Sequence, residues 1–102
     1  MYADILASVL NDWVDELSGP ALIDFARVCR VQMLESSTGT AAVALAAELS
    51  YDRALIKVCE AQAIDTTSRR FSQPNEERAR LERELTAIGI HLVASPGDDA
   101  DR

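Results

Sequence analysis

Glu48 and Asp52 stand four residues apart inside the apolar stretch "AAELSYDRALIKVC" (46–59). That spacing puts both carboxylates on one face of a helix. Paired carboxylates so placed could hold a divalent cation or share a proton in acid–base work. Helical metal centres of this kind add Glu-x-x-His pairs from neighbouring helices. Here the only histidine is His91, with Ile88 rather than an acid three residues before it. His91 therefore reads as a capping or surface residue, and no metal or other cofactor is expected. Cys29 and Cys59 form no zinc spacing and lie among apolar neighbours, as small buried hydrophobes kept reduced would. The segment "STGT" (37–40) lacks the lysine and spacing of a phosphate-binding loop. No catalytic constellation emerges, and the chain is expected not to be an enzyme.

Four helices account for the remaining pattern. Ile5, Leu6, Val9, Leu10, Trp13, Val14 and Leu17 share one face opposite Asp4, Ser8, Asn11, Asp12 and Asp15, which predicts a helix near 2–17. "SGP" (18–20) ends it, and Pro20 opens a second helix near 20–35 whose apolar residues wrap most of its circumference. Such a helix requires neighbours on more than one side. "SSTGT" (36–40) is a loop offering Thr38 or Thr40 as an N-cap for a third helix near 40–64. "DTTSRRFSQ" (65–73) is a polar connection with Phe71 as an anchor. A fourth helix near 74–88 follows Pro74, with Leu81, Leu85 and Ile88 as a narrow apolar stripe and Glu76–Arg80 in the favourable i,i+4 order. Gly89 is placed to end it, with Ile90 touching Leu85. The expected fold is all-α, a four-helix bundle or compact helical array in one domain (1–93), with a disordered acidic tail at 94–102.

On the third helix, Glu48 and Asp52 fall within the apolar arc, and charges there require partners. If the second and third helices form an antiparallel hairpin, Arg27 and Arg30 lie level with Leu49 and Ala46. A structural ion network of Arg27, Arg30, Glu48 and Asp52 is expected, with Arg30–Glu48 as its first pair. The same register separates Cys29 from Cys59 by far more than a disulfide spans.

An alternative reading breaks the third helix at Ser50. "AVALAAELSYDRALIKVCEA" (42–61) then resembles the helix-turn-helix of many bacterial DNA-binding repressors, with Leu45, Ala46, Leu49, Ile56 and Cys59 at its core positions. The resemblance implies that Arg53 and Lys57 face the major groove. Ser50 at a turn position that favours glycine, the bulk of Tyr51 and the charges of Glu48 and Asp52 depart from that pattern.

Composition bounds the function. The net charge of −7 argues against affinity for phosphate backbones. The excess of Arg over the single Lys57 is expected from the nucleotide composition of a bacterial source genome, not from phosphate recognition. The N-terminus lacks a basic n-region, and the uncharged run 41–47 is far short of the roughly 20 residues that span a bilayer. A cytoplasmic, non-catalytic protein–protein interaction or regulatory module is expected, binding another protein or itself.

Overall fold

The computed structural model describes residues 2–11, 19–36 and 38–92. Among them are four α-helices, α1 (Tyr2–Asn11), α2 (Gly19–Ser36), α3 (Ala41–Ala61) and α4 (Pro74–Ala87), with a short 3-10 helix at Ser68–Ser72 and no strand. The all-α fold is as the periodicity requires. The continuation of α1 toward residue 17 and the tail at 94–102 lie outside the described residues.

α3 is the central element, flanked by α2, α1 and α4. Its C-terminal half buries Tyr51, Ala54, Leu55 and Val58 on one stripe and Asp52, Ile56 and Cys59 on the next. Two adjoining stripes let one helix meet neighbours on several sides. Each fully buried Leu or Ile contributes about 1.5–3 kcal/mol. Leu6 of α1, Leu22, Ala26 and Cys29 of α2, and Leu81 and Leu85 of α4 complete the core. Phe71 in the 3-10 helix is fully buried, so the polar connection is pinned by the anchor expected of it. Ile88, placed in the α4 stripe by its spacing, is instead 54% exposed. It lies at the C-cap, where the chain leaves the helical path.

The helix ends follow local chemistry. Thr40 caps α3, its hydroxyl accepting from the Val43 amide at 3.2 Å. At the end of α4, Gly89 takes a positive φ of 92°, while the Ile90 and Gly89 amides donate to the Leu85 and Thr86 carbonyls at 2.9 and 3.0 Å. That is a Schellman closure. α3 ends the same way three residues before its expected limit at Ile64. The Ile64 and Ala63 amides donate to the Cys59 and Glu60 carbonyls at 2.9 and 3.1 Å. Ala63, however, holds φ at 60°, a left-handed conformation that costs a residue with a Cβ about 1–2 kcal/mol.

Candidate functional site

Two features of the molecule combine residues that core packing alone does not account for. One is a polar network running from α4 to the other three helices. Asp52 is fully buried and accepts two hydrogen bonds from Arg78, from Nε to Oδ1 and from Nη2 to Oδ2, both at 2.7 Å. The Tyr2 hydroxyl of α1 donates to Oδ2 of the same carboxylate, and Asn75 accepts from Arg78 Nη1 at 3.2 Å. Burial holds the Asp52 carboxyl above the usual carboxylate range, opposed by Arg78 and by Tyr2. The Tyr2 phenol is likewise pushed up by burial and by the Asp52 charge beside it. A forked guanidinium–carboxylate contact is the strongest geometry for such a pair. It also occupies the oxygens that a cation or a substrate would need.

A second branch joins α2, α3 and α4. Glu82 Oε2 accepts from Arg30 Nε at 3.0 Å and from the Tyr51 hydroxyl. A third holds the connection before α4. Glu77 accepts from the Thr66 hydroxyl at 2.8 Å and from Arg80, while Arg80 also reaches Glu84 and the Asp65 carbonyl. The hydrogen bonds from Arg80, helped by Thr66, hold the Glu77 carboxyl below its ordinary value.

Of the four residues expected to share one ion network, the structure brings none to another. Arg30 pairs with Glu82 and Asp52 with Arg78. Arg27 is exposed, bonded to Asp24 at 3.0 Å and to the His91 carbonyl at 2.9 Å. Glu48 is half-buried and meets the network only through space, raising the Tyr2 and Arg78 values. The reason is that hairpin register considers only α2 and α3, whereas the compensating charges stand on α4. Arg78, Leu81 and Leu85 recur at i, i+3 and i+7, so Arg78 belongs to the buried stripe of α4. That spacing was the available signal. Arg80 likewise bonds Glu77 and Glu84 instead of Glu76.

α3 runs unbroken through Ser50, so the turn that a helix-turn-helix requires is missing. Tyr51 is buried, Lys57 pairs with Glu60 at 3.5 Å, and Arg53 is half-buried beside Val9, Ala46, Leu49 and Ser50. Cys29 and Cys59 are both buried free thiols, and burial pushes Cys59 up to about 12. Such a thiol is inert as a nucleophile. Among the described residues, no group of three or more His, Cys, Asp or Glu could hold a metal ion, and no helix is long and apolar enough to cross a membrane.

The other feature is a set of solvent-exposed aliphatic side chains on α2 and the first turns of α3. On α2, Val28, Val31 and Leu34 are 54%, 47% and 54% exposed, and on α3 Val43 and Leu45 are 52% and 39% exposed. Ala41, Ala42 and Ala46 of α3 are exposed as well. The part of α3 that carries these side chains, 41–47, has no charged residue. Among the described residues, the neighbours that the apolar circumference of α2 requires are therefore not all supplied. Compared with family models, curated proteins and solved structures, the chain matches none.

Proposed function

We propose that the protein is a non-catalytic protein–protein interaction or regulatory module acting in the cytoplasm, with the outer surface of the α2–α3 hairpin as its binding face. The observation that carries this reading is the row of three large aliphatic side chains on α2, Val28, Val31 and Leu34, each 47–54% exposed. Single exposed aliphatics are ordinary, but large ones repeated along one face of a helix point to an interaction surface. The buried network supports the reading from the other side. It engages the ionisable groups of the interior with one another and leaves them to fix the helices, so the hairpin is presented on a rigid base.

The test is site-specific photo-crosslinking in native lysate. A photoreactive side chain at Val31 or Val43 is expected to capture a protein, and one at the exposed Gln62 at the end of α3 is not. Absence of adducts at both hairpin positions overturns the reading.

A further inference from the structure

We infer that the face of α2 carrying Val28, Val31 and Leu34 docks against the same face of a second copy of the chain, antiparallel and about a two-fold axis at Val31. This rests on the reading of the hairpin as an interaction face and names its occupant.

A closed two-fold interface demands self-complementarity, because one patch must fit itself. The buried side of α2 is formed by Leu22, Ala26 and Cys29. By helical periodicity, Val31 points almost directly away from that side. Three residues before it stands Val28 and three after it Leu34, both exposed. Four before it stands Arg27 and four after it Glu35, also exposed. An antiparallel pair centred on Val31 therefore sets Val31 against its own copy, Val28 beside Leu34 of the second copy, and Arg27 opposite Glu35 of the second copy. Each cross-pair occurs twice. A parallel pair would instead set Arg27 against Arg27 and Glu35 against Glu35, which repels.

Arg27 is oriented for the role. Its contacts with Asp24 and the His91 carbonyl hold the guanidinium at the surface, and 47% of its side chain stays accessible. Asp24 keeps an acid on its near side, so the charge order along the seam is acid, base, then the acid of the second copy. Three aliphatic side chains per copy make a small interface, so weak association with a Kd on the order of 1–100 μM is expected.

Sedimentation equilibrium of the full chain tests this between about 1 and 500 μM. The mass is expected to move from 11.1 kDa toward twice that value. Glu35→Arg sets two arginines against each other at both ends, and about a tenfold weaker association is expected. Arg27→Glu should weaken it similarly, and the double variant Arg27→Glu/Glu35→Arg should restore it to within about threefold of wild type. Val31→Glu places two carboxylates on the axis and abolishes association, with the helical circular dichroism unchanged because the position is exposed. Glu35→Arg breaks none of the intramolecular hydrogen bonds described above, so its effect is readable even if Arg27→Glu disturbs the fold. A chain that stays at 11.1 kDa throughout, a dimer indifferent to Val31→Glu, or a folded double variant no better than its singles overturns the inference. A strict monomer whose Val31 position still cross-links to a different protein removes this inference and leaves the interaction reading standing.

Discussion

From Tyr51 to Cys59, α3 is buried on two adjoining faces, whereas from Ala41 to Ala46 the same helix keeps most of its side chains in solvent. Both stretches carry mostly apolar residues, though the first also holds Asp52, Arg53 and Lys57. The first is covered by three neighbours and carries a carboxylate, Asp52, that is fully satisfied from α4 and α1. The second has α2 alongside it, and the outer face of α2 is itself bare at Val28, Val31 and Leu34. Apolar periodicity thus states that a face needs cover and is silent on whether the same chain provides it. One end of α3 is finished internally, and the other is the end for which a partner is proposed.

The sharpest way to break the comparison is at the buried end. Asp52→Asn leaves Arg78 inside without its counter-charge, and about 3–5 kcal/mol of stability should be lost, measured by urea unfolding. Against a total of about 5–15 kcal/mol for a native domain, that is a large share. Replacing both partners, Asp52→Leu with Arg78→Leu, should cost much less than the single change. If the double variant is no better, the pair is not coupled as described.

A smaller loss is expected at the second branch. Glu82→Gln weakens two hydrogen bonds, from Arg30 and Tyr51, in a partly exposed setting, and should cost about 1–3 kcal/mol by the same measurement. Ala63→Gly works in the opposite direction. It relieves the left-handed strain at the end of α3 and should raise stability by about 1 kcal/mol. A lower melting temperature for that variant would contradict the strain.

pH sharpens the contrast further. Glu77 has a folded value depressed by Arg80, so its contribution is fully present above its unfolded pKa of about 4.3 and fades as the pH falls through the depressed folded value. The gap in melting temperature between wild type and Glu77→Gln should accordingly be widest near neutrality and close in acid. At the bare end, Val43→Ser should change stability by no more than about 0.5 kcal/mol.

Much of this was readable from residue pattern. Gly89 announced the end of α4, Thr40 the start of α3, and Phe71 the anchor between them, because each acts on its own neighbourhood. Ser50 needed no turn, since α3 runs through it unbroken and leaves it half-buried beside Val9. The ion pairs were not readable in the same way. Asp52 meets a guanidinium 26 positions on, and Arg30 a carboxylate 52 positions on, across helices whose relative placement the hairpin register of α2 and α3 does not set. Ala63 gave no signal, because the residue that usually marks a left-handed helix end is glycine. The exposed stripe of α2 was legible in kind, since apolar residues around most of its circumference left surface for a partner or a second copy, while which residues stayed exposed was not.

The comparison comes down to whether a second chain completes what α2 leaves open. Thermal unfolding followed across a hundredfold range of protein concentration measures that directly, since binding confined to the native state raises Tm with concentration. Tm is expected to rise with concentration in the wild type and to stay flat in Val31→Glu. A flat wild-type Tm, or an equal rise in both proteins, would contradict docking of a second copy.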